Sequence, residues 1–216
     1  MIKIYLLDFS GADSGEKSLS ALPEYIEKTK NPKLRRERIF SYMLLSLASR
    51  EWLDTPIEEI KRDENGRPFF PGAEIDFNLS HDEGMAALVI SDEGRVGIDV
   101  QSKAASVSEK LIKKYEEIFE RYNLSSMESR LSAFKITIFS LSDKGIKKSD
   151  VSLSDIQEPL DFYDKWTQLE AISKADGRGL SALFGADFSN EKFLIGQACV
   201  DDKCGNTYSL CVSKRC

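Results

Sequence analysis

Residues 75–101 read IDFNLSHDEGMAALVISDEGRVGIDVQ, and this stretch carries the clearest fold signal in the chain. Apolar residues alternate with polar ones over residues 75–79 and again over 96–100. A period of two is the pattern of a half-buried strand. Residues 85–90 are continuously apolar, and the segments between the three runs are rich in Asp, Glu and Gly, which favour turns. We therefore predict a three-stranded antiparallel meander.

Helical patterns flank this meander on both sides. An N-cap asparagine followed by proline begins a helix that we predict over residues 32–50, and similar periodicity predicts helices over 106–122 and 160–175. The chain starts with a strand at residues 2–7, and residues 193–212 have the pattern of a hairpin. Helices and antiparallel strands in this order predict an α+β protein.

The composition excludes several classes of protein. The 216 residues carry 30 Lys and Arg against 36 Asp and Glu, a net charge of −6. Nucleic-acid binders normally need a net basic surface, so we expect no nucleic-acid partner. No apolar run approaches the ~20 residues that cross a membrane. Asp8 ends the first apolar segment too early for a signal peptide, so we expect a cytoplasmic protein without a membrane partner.

All four cysteines lie in the last 18 residues: Cys199, Cys204, Cys211 and Cys216. Their gaps are wider than the about two to four residues that open most zinc sites, and no histidine is near them. A structural disulfide is not expected in a reducing cytosol. We therefore expect thiols without a metal or catalytic role.

A few polar residues stand out against this background. His81 is the only histidine, and Asp99 interrupts an otherwise apolar strand, where a buried carboxylate needs a cation or several donors. Glu170 and Lys174 share one helix face four residues apart. They could form a simple ion pair. Alternatively, carboxylates from two elements and a lysine could hold Mg²⁺ against a diphosphate.

Several stretches together resemble the Sfp-type 4′-phosphopantetheinyl transferases. They are, in chain order, Arg38, Gly66-Arg67-Pro68, Phe77-Asn78-Leu79-Ser80-His81, Gly97-Ile98-Asp99-Val100, and Trp166 to Lys174 running on to Gly177-Arg178-Gly179-Leu180. The resemblance implies two pseudo-twofold-related α+β halves, each with a small antiparallel sheet packed on helices. The expected N-terminal half is residues 1–95, with the coenzyme-phosphate-binding helix and the strand of Asn78 to His81. The expected C-terminal half is residues 96–216, with the metal-binding acids and an insertion at about 123–157.

The resemblance also implies a reaction. The protein would be a monomer that transfers phosphopantetheine from coenzyme A, bound between the halves, to a serine of an acyl or peptidyl carrier protein, releasing 3′,5′-ADP with Mg²⁺. The implied metal ligands are Asp99, Glu170 and Gln101. The implied coenzyme contacts are Arg38, Arg67, Ser80, His81 and Lys174. The implied catalytic residues are Glu170, Lys174 and His81, with Glu170 or a metal-bound water taking the serine proton.

The sequence departs from the family pattern at four points. Gln101 stands where a glutamate is usual, Leu169 where a lysine is common, and Asp82 where a serine is common. Asp99 and Glu170 are 71 positions apart, which is longer than usual. On the resemblance, replacing Gln101 with Glu is expected to tighten Mg²⁺ binding, because an amide brings no charge.

Two other functions stay open on the sequence. A degenerate relative could bind coenzyme A or a carrier without efficient catalysis, and Gln101 and Leu169 favour that reading. An unrelated Mg²⁺-dependent phosphotransferase is the third possibility, although the chain has no Gly-rich P-loop. An acidic carrier would require a local basic surface despite the net negative charge. The candidates are Lys110, Lys113 and Lys114, which could equally be a solvated helix face.

Overall fold

A computed structural model of the chain describes residues 1–12, 22–53, 60–104, 106–122, 129–142, 145–149, 153–154, 156, 159–180 and 193–215. The helices in those ranges are α1 (Glu24–Glu27), α2 (Pro32–Ser49), α3 (Glu109–Arg121) and α4 (Phe162–Asp176). The strands are β1 (Ile2–Asp8), β2 (Lys61–Arg62), β3 (Pro68–Phe69), β4 (Asp76–Asp82), β5 (Met85–Ser91), β6 (Val96–Ser102), β7 (Lys135–Ser142), β8 (Gly145–Lys148), β9 (Leu153–Ser154), β10 (Phe193–Asp201) and β11 (Thr207–Arg215).

The same unit of strand, helix and hairpin occurs twice. In the N-terminal half β1 pairs antiparallel with β5, which pairs with β4, and α2 lies between β1 and the hairpin in sequence. In the C-terminal half β6 pairs with β11, which pairs with β10, and α4 takes the place of α2. Tyr5 and Asp99 are each the fourth residue of their strand, opposite Leu88 and Cys211. The predicted α+β class is confirmed.

The predicted meander is wrong in its third strand. β4 and β5 form the expected hairpin, but β6 pairs with β11 instead of β5. β6 still lies beside β4, where side chains take the place of a backbone ladder: Asp76 Oδ2 accepts from Val96 N at 2.8 Å, and Asn78 Oδ1 from Ile98 N at 3.1 Å. Alternating polarity predicts that a segment is a strand and which face is buried, but it does not identify a partner over 100 residues away.

The two sheets pack face to face, and each is covered on its outer side by helices. Apolar side chains of β1 and β5 meet those of β6 and β11 between the sheets; they include Ile4, Leu6, Val89, Ile98, Val100 and Leu210. On the outer face of the N-terminal sheet, α2 packs through Phe40 and Leu44. On the opposite outer face α4 and α3 pack through Leu169, Ile172 and Tyr115. The order of layers is helix, sheet, sheet, helix.

Both long helices begin at the capping residues of the sequence. Asn31 Oδ1 accepts from Leu34 N at 3.1 Å, and Pro32 is the first residue of α2. Asp161 and Asp164 form a reciprocal capping box at the start of α4. α4 ends at Gly177, whose φ of 86° favours glycine. These caps fix where α2 begins and where α4 begins and ends.

Part of the expected insertion at 123–157 joins the sheet of the N-terminal half. β7 runs parallel to β1, with Ile136 opposite Ile4, and β8 extends the sheet beyond β7. β9 instead pairs with β10. Residues 123–128, 143–144, 150–152, 155 and 157 of the insertion lie outside the described residues. The division at residue 95 therefore stays a prediction, with β7 and β8 coming from beyond it.

α3 is shorter than predicted and only partly buried. The Tyr115 ring packs edge-on against Trp166 of α4, with centroids 4.8 Å apart. Leu111 is 40% exposed and Ile112 is 38% exposed. The first turns of α3 thus present two apolar side chains among the exposed lysines 110, 113 and 114.

The expectations about membrane-spanning segments and about the cysteines can be compared with the described residues. Within the described residues, none of the helices combines the length and apolarity needed to traverse a membrane. Cys199 is half-buried, Cys204 is exposed and Cys211 is buried, and all three are free thiols. Cys216 lies outside the described residues.

Candidate active site

α4 lies directly on the backbone of β6 at Gly97. A Cβ at this position would be 2.1 Å from the Ala171 carbonyl oxygen and 2.5 Å from Ala175 N, so no other residue fits without movement of the helix. Side chains two apart on a strand share a face. Asp99 therefore lies on the same face as Gly97, beneath the helix.

Lys174, Asp99 and Ser80 form the centre of the site. Lys174 Nζ lies 2.6 Å from Asp99 Oδ1 and donates to the Ile98 carbonyl at 3.1 Å. Ser80 Oγ donates to the same Asp99 oxygen at 2.7 Å. Asp99 is only 4% exposed. The ammonium and the hydroxyl supply the donors that a buried carboxylate requires.

Glu170 is the second carboxylate, one turn before Lys174 on α4. Its Oε2 lies 3.4 Å from Lys174 Nζ. Burial, followed by the charge of Asp99, raises the pKa of Glu170 to about 7, although Lys174 opposes the shift. Burial lowers the pKa of Lys174, but the two carboxylates outweigh it and leave the pKa above its usual value. Perturbed, charge-coupled groups of this kind are concentrated in active sites.

Gln101 lies two residues beyond Asp99 on the same face of β6, where it contacts Asp82. Gln101 Nε2 donates to Asp82 Oδ2 at 2.6 Å, and Ser102 N donates to the same oxygen at 2.8 Å. Burial raises the pKa of the Asp82 carboxyl. The Ser80–Asp99 contact and the Asp82–Gln101 contact are thus successive side-chain bridges between β4 and β6.

Arg67 links three elements at one end of the site. Its guanidinium binds both carboxylate oxygens of Asp76, and it donates to the carbonyls of Val96, at 2.7 Å, and of Lys174. The side chain is 8% exposed. These contacts join β4, β6 and α4, and Arg67 also lines the cleft described below.

His81 points away from Ser80, towards α2. Its Nδ1 lies 3.3 Å from Glu37 Oε2, outside hydrogen-bond geometry. Burial, and then the cations of Lys174 and Arg38, lower the pKa of His81, and burial raises the pKa of Glu37. Arg38 donates to Thr29 Oγ1 at 2.8 Å. His81 therefore lies beside Glu37 of α2, on the opposite face of β4 from the Ser80–Asp99 contact.

A cleft of about 270 Å³ opens beside Glu170 and Lys174. Residues of both halves line it: Asn65, Gly66, Arg67, Pro68 and Asn78 from the first, and Ser173, Gly177, Gly179 and Leu180 from the second. The lining combines three glycines and three short polar side chains with the apolar Pro68 and Leu180 and the charged Arg67, Glu170 and Lys174. A phosphorylated ligand in this cleft would contact Glu170 and Lys174, and Lys174 links the cleft to the buried Asp99.

The residues present fit a magnesium ion only in part. Asp99 and Glu170 both contact Lys174 Nζ and are coupled electrostatically to each other. Within the described part of the chain, no three His, Cys, Asp or Glu side chains form a metal-binding group. Mg²⁺ often uses one or two carboxylates and completes its octahedron with water and phosphate oxygens. Two acids are therefore sufficient when a diphosphate supplies further ligands.

Sequence reasoning did not identify Glu37, Asp76 or Asp82 as neighbours of the predicted site residues. The sequence pattern placed Asp76 in the strand before Ser80, but the hydrogen bond from Arg67 to Asp76 depends on tertiary packing. Glu37 lies one residue before Arg38, and the sequence gives no sign that its side chain is buried. Asp82 was noted only as a departure from a pattern, because β4 and β6 were expected to lie at opposite edges of one meander.

Comparisons with known proteins identify the family of the chain. The chain is 30% identical over 159 residues to the 4′-phosphopantetheinyl transferase AcpT of Salmonella typhimurium, covering 73% of this chain and 68% of that protein. It is 28% identical over 159 residues to AcpT of Salmonella typhi. A comparison with models of protein families found no match.

The chain is therefore a transferase. It belongs to the 4′-phosphopantetheinyl transferases, as its resemblance to that family predicted, and its general reaction is the transfer of a 4′-phosphopantetheine group.

Proposed function

We propose that the protein transfers 4′-phosphopantetheine from coenzyme A to a serine of an acyl or peptidyl carrier protein, with Mg²⁺ held by Asp99 and Glu170. The observation that carries the proposal is the position of Lys174 Nζ, 2.6 Å from Asp99 and 3.4 Å from Glu170, beside a cleft formed by both halves. Two acids and a cation at one point suit a diphosphate bound with a divalent ion. The two-half division at residue 95 is part of the proposal.

The reaction exchanges one phosphorus–oxygen bond for another. The serine oxygen forms a bond to the phosphorus that bears pantetheine, and the bond from that phosphorus to the bridging oxygen breaks. The serine proton goes to the Glu170 carboxylate, which acts as the general base. The electron pair of the broken bond leaves with 3′,5′-ADP.

The remaining residues bind and neutralise charge. Asp99 and Glu170 would hold the Mg²⁺ ion, which would stabilise the charge of the diphosphate. Lys174 contributes a fixed positive charge near the leaving group, and Ser80 holds Asp99 in place. Arg38 and His81 would bind a phosphate of the nucleotide from the α2 side, and Arg67 lines the cleft where the coenzyme would lie.

The first two turns of α3 are the proposed contact for the carrier. Leu111 and Ile112 are exposed among lysines 110, 113 and 114. This combination suits an acidic partner with an apolar patch. α3 packs on α4 through Tyr115 and Trp166, one turn before Glu170, so a protein bound there would lie near the acids.

The test is intact-mass spectrometry of several apo carrier proteins incubated with this protein, coenzyme A and Mg²⁺. The expected result is a gain of one phosphopantetheine on at least one carrier, lost when EDTA is added and regained with excess Mg²⁺. A gain that persists in EDTA contradicts the metal assignment. No gain on any carrier, with coenzyme A still bound in calorimetry, contradicts catalysis and favours the degenerate binding protein, for which Gln101 in place of an acid is the supporting observation.

A further inference from the structure

Asp82 is an acid beside the site to which the reaction gives no task. It lies two residues after Ser80 on β4, and Gln101 lies two residues after Asp99 on β6, so both pairs share one face of their strands. Ser80 contacts Asp99 at 2.7 Å and Asp82 contacts Gln101 at 2.6 Å. The second bridge continues the first, about 7 Å further along the strands.

The contact fixes the orientation of the Gln101 amide. Its nitrogen has to face the Asp82 carboxylate, because the alternative would place a carbonyl oxygen 2.6 Å from an anion. The Gln101 oxygen consequently lies on the side away from Asp82, where none of the described residues donates a hydrogen bond to it. Ser102 N holds the same Asp82 oxygen at 2.8 Å, so the carboxylate is itself anchored to β6.

Asp82 also brings charge to the site. Burial is the main cause of the raised pKa of Asp82, and the charges of Glu83 and then of Asp99 add to it, so Asp82 and Asp99 interact electrostatically. On α4, the pKa of Tyr163 is raised by burial and then by Asp161 and Asp82. Glu83 and Lys33 act on Asp82 from β4's turn and from α2 with opposite signs. Asp82 therefore lies within electrostatic reach of the elements that carry the metal-binding acids.

We propose that Asp82 is a positioning residue of the transferase: it orients Gln101 with its oxygen towards the ion, and its charge replaces the charge that Gln101 lacks. The proposal rests on the proposed function, because it assigns a task within that same site. The acid at the end of β4 and the amide on β6 then act as a unit.

Acting together, Asp82 and Gln101 reverse the expectation that a glutamate at position 101 tightens Mg²⁺ binding. A glutamate at 101 would place a second carboxylate against Asp82, where like charges repel strongly. Gln101→Glu alone should therefore weaken the site instead of strengthening it. Removing the Asp82 charge at the same time should restore it, since one acid and one amide are again present with their positions exchanged.

The experiment compares the wild type, Gln101→Glu, Asp82→Asn and the double variant Asp82→Asn/Gln101→Glu. Asn keeps the shape of Asp82 and an oxygen acceptor for Ser102 N. Each protein is titrated with Mg²⁺ in the presence of coenzyme A by calorimetry, and its kcat/KM for an apo carrier and its melting temperature are measured. We expect each single variant to lose about tenfold in Mg²⁺ affinity and kcat/KM, and the double variant to return to within about threefold of the wild type.

Three outcomes would overturn the proposal. In the first, the fold-loss of Mg²⁺ affinity in the double variant equals the product of the fold-losses of the two single variants. In the second, Gln101→Glu binds Mg²⁺ more tightly than the wild type. In the third, the losses of affinity and kcat/KM simply follow the fall in melting temperature. If the wild type modifies no carrier, the proposed function fails, and the Mg²⁺ titrations of the four proteins still decide the assignment of Asp82.

Discussion

The two halves of the molecule share a topology but use their strand–helix interface differently. In the N-terminal half, Tyr5 on β1 faces α2, whose Phe40 and Leu44 are completely buried. In the C-terminal half, Asp99 stands at the corresponding strand position. Phe40 and Glu170 are each the ninth residue of their helix, and Leu44 and Lys174 each the thirteenth. One copy of the unit therefore has an apolar interface where the other has two acids and a lysine.

This difference indicates that the strand–helix interface of one half serves stability and that of the other serves the reaction. Burying charged groups costs free energy even when they are paired, so the C-terminal interface is a poor source of stability. The apolar interface of α2 and the apolar layer between the sheets supply stability instead. The charged interface can then keep the arrangement that chemistry needs. The predictions below test this division.

Removing an acid from the charged interface should have the largest effect. We expect Asp99→Ala or Glu170→Ala to lower kcat/KM for carrier modification by about 100-fold or more, because each removes charge at the diphosphate. The matched control is Tyr5→Phe at the position that corresponds to Asp99, which loses hydrogen bonds to Glu51 and Trp52 and should change kcat/KM by less than about twofold. Near-wild-type activity of either alanine variant would contradict the assignment of the acids.

A methyl group at Gly97 should destabilise the protein more than a substitution at the corresponding position of the N-terminal half. A Cβ there would lie 2.1 Å from the Ala171 carbonyl oxygen, so Gly97→Ala should lower the free energy of unfolding by about 2 kcal/mol or more. Lys3 is the corresponding residue of β1 and contacts Glu51 near the surface. Lys3→Ala should cost less than about 1 kcal/mol. Urea denaturation measures both, and equal effects would show that α4 does not depend on this close approach.

Reversing charge on α3 should give the smallest effect. The N-terminal half has no described counterpart of this helix, and Lys110→Glu combined with Lys113→Glu should raise the KM for carrier about three- to tenfold with kcat unchanged. The effect should shrink at high salt, because exposed charges are screened. Lys28→Glu, at an exposed lysine of the N-terminal half, is the control and should leave KM unchanged. An unchanged KM in the α3 variant would remove α3 from the carrier contact.

Much of this comparison was accessible from the sequence, and the limits have physical causes. α2 and α4 were predicted almost to the residue, because their apolar periodicity and capping residues are local signals. The motifs around Asp99 and Glu170 identified the two acids and Lys174, which the structure brings together.

Contacts between distant segments could not be predicted in the same way. The pairing of β6 with β11, the contact of Gln101 with Asp82 and the position of His81 beside Glu37 all depend on how the halves pack. Leu111 and Ile112 at the start of α3 are exposed, because the helical periodicity that predicts α3 does not show how much of its length another element covers.

The strand partnership of β6 also has a consequence for the order in which the molecule assembles. Ser102 pairs with Tyr208, and Asp99 with Cys211, so the strand that carries Asp99 finds its neighbour only after a further hundred residues have been synthesised. At about 5–20 residues per second, this is a delay of roughly 5–20 seconds on the ribosome. The N-terminal hairpin and β1 can pair during that interval, whereas the acid pair cannot yet be enclosed. The emerging chain can therefore form the first strands of the N-terminal sheet before the site of Asp99 and Glu170 is complete.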